Sequence, residues 1–297
     1  MRDPQLLQLL GPDMKVAPQV VQQTKEQVQN YTLEHLLLRL NQEEDVPAYF
    51  VYPSSQQPVP LVLFNHSHGG DFTLGKEELR QSPCYMQKES LFATFMKLGV
   101  AVGVIDMWGF GERKNGENDS YKRFLLQGKT LWGQRIYDNQ QFLTYLASRK
   151  EVKHSAIATL GLSMGGLMSW WLAALDERIS VVVVDMAAQV DYQALIEEDR
   201  LSKHGFYYYV PNVLKDFTTA AIQKQIAPRP RLSLVGKKDR GCPSSGVARL
   251  DQQVGQHYEA MGYKEHWQAR SLPGGHEETK EMRAQWIEFL KQHLLSS

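Results

Sequence analysis

A serine flanked by glycines stands between a predicted strand and a predicted helix. Residues 161–165 read GLSMG; the apolar run 157–160 predicts the strand, and the run 167–175 predicts the helix. A sharp strand-to-helix turn needs glycines beside the serine, because larger side chains would clash with neighbouring backbone. Such a turn raises the hydroxyl above the sheet, so the spacing predicts that Ser163 is a nucleophile. The alternative is a glycine-rich packing turn.

A serine hydroxyl needs a base within hydrogen-bond reach, and that base needs a carboxylate to hold its orientation. His276 follows residues 266–272, which are predicted to form the last strand, and precedes the predicted closing helix 277–294. A loop in this position can carry a general base, so we predict His276 in that role. The alternative is a surface histidine at the start of a helix.

Two carboxylates compete for the role of the acid. Asp239 follows the penultimate predicted strand in the loop sequence GKKDRGCP, whose glycines and proline are typical of a fixed turn. Asp185 directly follows the apolar run 181–184 and therefore also lies at the end of a strand. Position in the chain favours Asp239, with Asp185 as its rival. The weaker candidates, both in the following segment, are Asp191 and Asp199.

Acyl transfer also needs N–H donors for the oxyanion of its tetrahedral intermediate. The N–H of Met164 is one candidate because it directly follows the serine. The second is expected from residues 65–70, NHSHGG, which follow an apolar strand; we predict the N–H of His68, with Gly69 as the alternate. His66 and His68 also raise the question of a metal, but two histidines without a nearby third ligand argue against one.

The elements that must position these side chains alternate between strands and helices. Apolar runs predict strands at 61–64, 100–105, 157–160, 181–184 and 232–235, and further strands are predicted at 46–53 and 266–272. Helical patterns are found at 90–98, 130–149, 167–175 and 277–294. This alternation predicts an α/β fold with a mostly parallel central sheet flanked by helices. Residues 106–113, DMWGFGER, follow a strand and are predicted to wall the pocket.

Two segments depart from the alternation. Residues 1–45 are rich in Gln and Leu, with leucines 33, 36, 37 and 40 at helical spacing. They predict a helical N-terminal extension before a main domain at 46–297. The segment at about 190–230 contains the aromatic cluster GFYYYVP and has no strand–helix rhythm. A cap over the pocket and a packed connection are both open for it.

Charge and cysteine content set outer limits on partners and compartment. The 297 residues include 33 Lys and Arg and 33 Asp and Glu, so net charge favours neither nucleic acid nor an anionic membrane. No signal peptide or membrane-spanning run is evident, and we expect a cytoplasmic protein. Cys84 and Cys242 fit free thiols better than a disulfide, although one bond stays open. Cys242 lacks an elbow and is not predicted to be a nucleophile.

Together these residues resemble the α/β-hydrolase superfamily, and more narrowly its dienelactone-hydrolase and acetyl-xylan-esterase-like branch, over about residues 46–293. The marks of the resemblance are HSHGG at 66–70, DxxGxG at 106–111, the elbow at 161–165, YYYVP at 207–211 and IAPRP at 226–230. The family order of serine, acid and histidine implies a triad of Ser163, Asp239 and His276. It also implies oxyanion donors at the N–H groups of Met164 and His68.

One departure from the family pattern concerns the oxyanion loop. Ser67 stands where the branch usually has glycine, which could shift this loop. Another concerns the nucleophile: members with cysteine act on dienelactone, so Ser163 favours an esterase. No β-propeller segment precedes the fold, which disfavours the prolyl-oligopeptidase type.

The resemblance and the residues together predict a serine hydrolase that cleaves small-molecule carboxylic esters through an acyl-enzyme. No metal or organic cofactor is predicted, and neither is a nucleic-acid or membrane partner. The leucine-rich N-terminal segment is compatible with a homodimer. The alternatives are a thioesterase, amidase or peptidase with the same triad, and an inactive binding protein on the same fold.

Overall fold

The strands form one continuous sheet. The computed structural model describes residues 4–113 and 116–296. Within these ranges the strands are β1 Lys15–Val28, β2 Tyr31–Asn41, β3 Asp45–Pro53, β4 Val59–Asn65, β5 Ala101–Ile105, β6 Val152–Leu162, β7 Val182–Met186, β8 Arg231–Gly236 and β9 Trp267–Leu272. Their order across the sheet is β1-β2-β3-β5-β4-β6-β7-β8-β9. The first three pairings are antiparallel and all the others are parallel, so the predicted mostly parallel sheet is confirmed.

The α-helices connect these strands and begin at recognisable caps. They are α1 Pro4–Leu10, α2 Leu91–Leu98, α3 Glu117–Leu126, α4 Leu131–Ala147, α5 Met164–Leu175, α6 Tyr192–Glu197, α7 Val213–Asp216, α8 Thr219–Lys224, α9 Ser244–Ala260 and α10 Lys280–Leu290. Ser90 Oγ accepts a hydrogen bond from the N–H of Ala93 at 3.2 Å, and Thr130 Oγ1 accepts one from Gly133 at 2.9 Å. These hydroxyl caps fix the starts of α2 and α4 close to the predicted positions. None of the described helices is long and apolar enough to cross a membrane.

Helices cover both faces of the sheet because the central strands are buried on both sides. Leu61 and Leu63 of β4 lie in one apolar core with side chains of α1, α4 and α5. Val62 and Phe64 point to the opposite face and pack with α2 and α10. This alternation with a period of two explains why the run 61–64 is apolar throughout. Because these strands run parallel, their carboxyl ends lie along one edge of the sheet, and the candidate residues lie at this edge.

The prediction of a helical extension over residues 1–45 is wrong for most of its length. The described part begins with the short helix α1, after which β1 and β2 form an antiparallel hairpin that joins the main sheet. In β2 the side chains of Leu36, Leu38 and Leu40 are buried, with the two-residue spacing of a strand. Leu37, which the helical pattern included, is only partly buried. Residues 1–3 lie outside the described part of the chain.

The segment at about 190–230 consists of short helical pieces between β7 and β8. It contains α6, α7 and α8 and two 3-10 turns, Leu201–Lys203 and Phe206–Tyr208. After it, α9 packs beside β9, where Tyr258 stacks on Trp267 with ring centroids 6.0 Å apart. The helix α9 was not among the predicted elements, although its buried residues Leu250, Val254 and Tyr258 recur every four positions.

Candidate active site

Ser163 lies at a strained turn between β6 and α5. Its φ is 57° and its ψ is −122°, a backbone conformation that costs energy for any residue with a Cβ. The neighbouring glycines permit it. A Cβ on Gly165 would lie 2.0 Å from the carbonyl oxygen of Asn65, and one on Gly161 would lie 2.3 Å from the backbone of Gly165. The turn that the glycine spacing predicts is therefore present.

Three of the residues that the sequence singled out are joined in one hydrogen-bonded chain. His276 Nε2 lies 2.7 Å from Ser163 Oγ, and His276 Nδ1 lies 2.8 Å from Asp239 Oδ2. Because a carboxylate only accepts, Nδ1 carries the proton and donates it to Asp239. Nε2 then has a lone pair free to accept from the serine hydroxyl. This is the arrangement in which a histidine can deprotonate a serine.

The carboxylate of Asp239 is fixed from its other side. Its Oδ1 accepts a hydrogen bond from the N–H of Gly241 at 2.8 Å, and its side chain is fully buried. The loop of His276 comes close to the end of β8, because a Cβ on Gly236 would lie 2.1 Å from the carbonyl oxygen of Gly275. Both loops are therefore held in place by backbone contacts rather than by the triad alone.

The rival carboxylate, Asp185, serves a different purpose. Its Oδ2 accepts from Arg231 Nε at 2.8 Å and its Oδ1 from Ser233 Oγ at 2.6 Å, and both partners of the ion pair are fully buried. Of the weaker candidates, Asp191 caps α6 and pairs with Arg249 at 2.8 Å. Asp199 occupies a turn with φ of 52°. Among the described contacts, Asp239 is thus the only one of these four carboxylates that hydrogen-bonds His276.

The predicted oxyanion loop lies beside Ser163 at the pocket. His68 and Ser163 line the same cavity, and Met164 begins α5, where the first N–H groups have no partner within the helix. Ser67, the departure from the family pattern, is bound at both ends: its N–H donates to Glu78 Oε1 at 2.9 Å, and its Oγ lies 3.0 Å from the same oxygen. The extra hydroxyl is therefore part of the anchor of this loop.

The two histidines of the loop have separate partners. His66 Nε2 accepts from the N–H of Met107 at 3.1 Å, while its Nδ1 lies 2.9 Å from the carbonyl oxygen of Ser67. Burial lowers the pKa of His66 to about 4, so its ring is neutral. His68 Nε2 instead lies 3.2 Å from Glu117 Oε1. The two imidazole rings thus hydrogen-bond to different protein groups and do not share a hydrogen-bond partner.

A buried ion pair supports the loop from behind. Glu117 Oε2 accepts from the guanidinium of Arg135 at 2.6 Å, and that guanidinium is fully buried. Burial raises the pKa of Glu117, but the hydrogen bond from His68 and the charge of Arg135 hold it at about 2. Arg135 also lies 3.3 Å from the sulfur of Met164. The ion pair thus contacts both proposed oxyanion residues, His68 through Glu117 and Met164 through Arg135.

Glu78 is the most unusual titratable group near the loop. Besides Ser67 it accepts a hydrogen bond from the hydroxyl of Tyr85 at 2.8 Å, and its carboxyl is fully buried. Burial raises the pKa of Glu78 to about 7, aided by the charge of Glu278, although the hydrogen bonds lower it. Glu78 is therefore neutral in weak acid and ionises near neutrality.

The raised pKa of Glu78 predicts a specific pH dependence of stability. Between pH 4.5 and 7 the folded protein keeps a proton that the unfolded chain has lost, so this group makes stability fall as pH rises. Glu78→Gln lacks this titration. We expect the free energy of unfolding of the variant, relative to wild type, to rise by about 3 kcal/mol between pH 5 and pH 8. Urea unfolding at both values measures it; identical pH dependence in the two proteins would contradict the assignment.

The pocket at Ser163 has a volume of about 430 Å³ and is walled partly by the segment between β7 and β8. That segment contributes Ser202, Lys203, His204, Gly205 and Tyr207. Of the two interpretations left open, the cap is therefore favoured. Residues 106–113 do not line this pocket as predicted. They lie behind it, where Phe110 packs against the rings of His66 and His68 at 5.0 and 5.1 Å.

The fold defines the class, an α/β-hydrolase, and Ser163 occupies its strand-to-helix turn between β6 and α5. Residues 45–287 match the Peptidase S15 family, described as X-Pro dipeptidyl-peptidase, and the chain belongs to this family of hydrolases. It is 43% identical over 297 residues to YtaP of Bacillus subtilis (strain 168), a protein named as a hydrolase, covering 99% of each chain.

Solved structures of esterases share the fold. The glucuronoyl esterase from Solibacter usitatus matches with a TM-score of 0.72 at 12% identity, covering 97% of this chain and 91% of that one. Acetyl xylan esterase 1 from Thermoanaerobacterium sp. JW/SL YS485 matches with a TM-score of 0.65 at 17% identity, covering 97% and 92%. The α/β-hydrolase and acetyl-xylan-esterase-like resemblance is confirmed at the level of fold.

Proposed function

We propose that this hydrolase cleaves small-molecule carboxylic esters with Ser163 as nucleophile, His276 as general base and Asp239 as the orienting acid. The observation that carries the proposal is the continuous hydrogen-bonded chain, with contacts of 2.7 and 2.8 Å, that opens into the pocket. The esterase names of the structural neighbours support the choice of ester.

The geometry supports a two-stage reaction. Ser163 Oγ attacks the ester carbonyl carbon while its proton passes to His276 Nε2, and Asp239 stabilises the imidazolium that forms. The carbonyl oxygen becomes an oxyanion, for which the N–H groups of Met164 and His68 are the proposed donors. His276 then gives its proton to the departing alcohol, leaving an acyl group on Ser163. A water molecule, deprotonated by the same ring, attacks this acyl group, and the acid leaves as His276 returns the proton to Ser163 Oγ.

The pocket supports an ester rather than the N-terminal dipeptide implied by the family description. A dipeptidyl-peptidase substrate carries a free ammonium group two residues from the cleaved bond, and a site usually pairs such a cation with carboxylates. No Asp or Glu is found among the described residues that line this pocket. An ester also has a better leaving group than an amide, so it needs less assistance from the site.

A substrate panel tests the reaction class. We expect 4-nitrophenyl esters of short acids to be hydrolysed with a kcat/KM at least tenfold above that of matched acyl-CoA thioesters, and no release of 4-nitroaniline from Ala-Pro-4-nitroanilide. Initial rates at equal substrate concentrations give this ranking of the three substrates. Activity confined to the thioester or the anilide would contradict the ester proposal and favour the thioesterase or peptidase alternative. No activity on any of them would favour a binding protein.

The cytoplasmic location and the homodimer remain predictions. The location is supported by Cys84 and Cys242, which are free thiols in the structure, as expected for a reducing compartment. The proposed dimer no longer rests on a helix, because the leucines of residues 31–41 are built into the main sheet. Size-exclusion chromatography with light scattering decides the oligomeric state.

A further inference from the structure

Among the described residues that line the pocket beside Ser163, one is a lysine and none is an arginine. Lys203 lies on its wall, in the 3-10 turn Leu201–Lys203 of the cap. The remaining titratable residues of the wall are His68, His204, His276, Tyr85 and Tyr207. No carboxylate is found among the described lining residues, so the ammonium group of Lys203 faces this cavity without a carboxylate beside it on the wall.

The backbone around Lys203 is fixed relative to the triad. The next residue, His204, places its Nε2 2.8 Å from the carbonyl oxygen of Gly241, whose own N–H donates to Asp239 at 2.8 Å. On the other side of the turn, the hydroxyl of Tyr209 donates to the carbonyl oxygen of Leu201. The lysine therefore extends from a turn that is tied to the acid loop, and it lines the same pocket as Ser163.

Three carboxylates near the pocket or near Lys203 in sequence have other partners. Glu117 is paired with Arg135, and Glu277 accepts from the N–H of Gly275 at 3.2 Å within its own loop. Glu198, close to Lys203 in sequence, accepts from the hydroxyl of Ser245. Across the described residues, the ion pairs of the protein include none with Lys203, which is exposed at the pocket. Its charge is thus available to a substrate.

We infer that Lys203 determines specificity by binding an anionic group, a carboxylate or a phosphate, on the ester whose carbonyl is attacked by Ser163. The inference rests on the proposed ester hydrolysis and names the class of substrate for it. An ammonium group is a point charge with three hydrogen-bond donors, so it can bind either anion. The same charge repels a substrate with a free ammonium group, which adds to the case against a dipeptide.

Two pairs of esters test the inference, and each pair contrasts an anionic group with a neutral group at the same position. The first pair is 4-nitrophenyl hydrogen adipate and 4-nitrophenyl hexanoate, which place a carboxylate or a methyl group at the end of the acyl chain. The second is the acetate ester of 4-hydroxyphenyl phosphate and that of 4-methoxyphenol, which place a phosphate or a neutral group on the alcohol. The measured quantity is the ratio of kcat/KM for the anionic ester to that for the neutral ester.

Lys203→Met is expected to lower this ratio about threefold or more in at least one pair, and Lys203→Glu about tenfold. Both losses should shrink at 0.5 M NaCl because salt screens exposed charges. Hydrolysis of the neutral esters should change less than twofold. Lys150→Met is the matched control: Lys150 is exposed before the start of β6, whereas Ser163 follows the opposite end of that strand. Its ratio should stay that of wild type.

The outcomes separate the inference from the proposed function. A fall confined to the adipate pair assigns a carboxylate, and a fall confined to the phosphate pair assigns a phosphate. Unchanged ratios in both Lys203 variants, with esters still hydrolysed, would overturn the inference alone. Failure of the folded wild-type protein to hydrolyse any of the four esters would overturn the ester hydrolase proposal, and the inference with it.

Discussion

Ser163→Ala is expected to lower kcat/KM for a hydrolysed ester by about 10⁴-fold or more, with little change in the free energy of unfolding. The loss is large because no acyl-enzyme can form without the hydroxyl, and the remaining groups only bind and polarise the ester. Stability should persist because alanine keeps the Cβ, so the strain at φ of 57° is the same in both proteins. Steady-state kinetics and thermal unfolding of the purified variant measure the two quantities.

The matched control for this variant is Ser155→Ala. Ser155 is exposed near the start of β6, far along the strand from the turn at Ser163. Its kcat/KM should equal that of wild type within twofold. A Ser163→Ala variant that retains more than a tenth of wild-type activity would show that another group is the nucleophile.

Asp239→Asn is expected to lower kcat and Asp185→Asn to lower stability, and this difference separates the acid of the triad from its rival. Asp239→Asn should lower kcat by 10²- to 10⁴-fold, because an amide facing His276 Nδ1 no longer favours the tautomer or stabilises the imidazolium. Asp185→Asn should leave kcat of the folded protein near that of wild type. It should instead cost about 3 kcal/mol of stability, because Arg231 stays buried with its charge uncompensated.

Kinetics and urea unfolding of both variants distinguish these effects. Active-site titration with a fluorophosphonate corrects kcat for any unfolded fraction of Asp185→Asn. A large loss of kcat in the titrated Asp185→Asn protein, with Asp239→Asn unimpaired, would reverse the assignment of the acid.

The turn at Ser163 was predictable because its requirements are local. Glycines at 161 and 165 avoid contacts of 2.3 and 2.0 Å with neighbouring backbone, and no other residue type meets that condition. Asp239 and His276 were predictable for a related reason: each follows a strand of a parallel sheet, and such strands end along one edge. The proximity of Asp239 and His276 to Ser163 thus follows from topology, whereas the choice against Asp185 required the contacts of Arg231.

The groups that support the site were not predictable in the same way. Arg135 lies within the buried helix α4, and its partner Glu117 begins α3 across a loop. Glu78 is one of two adjacent glutamates, and nothing local distinguishes it from Glu77. Burial of a charge or a carboxyl depends on which elements pack over it, so the sequence pattern carries no signal for these pairs.

The N-terminal hairpin shows how a local pattern can mislead. The leucines of residues 31–41 satisfy a helical spacing and a two-residue spacing at once, since several stand in a run. Pairing of β2 with β1 and β3 on both sides decides between them. That pairing involves contacts along the whole segment, and tertiary context overrides the weaker helical propensity.

The most direct test of the central claim is to locate the reactive serine. Wild-type protein treated with a fluorophosphonate should gain the mass of a single adduct, and peptide mapping should place it on Ser163. Ser163→Ala, treated identically and shown to be folded, should gain none. Equal labelling of the two proteins, or an adduct on any other residue of wild type, would contradict the proposal that Ser163 is the nucleophile.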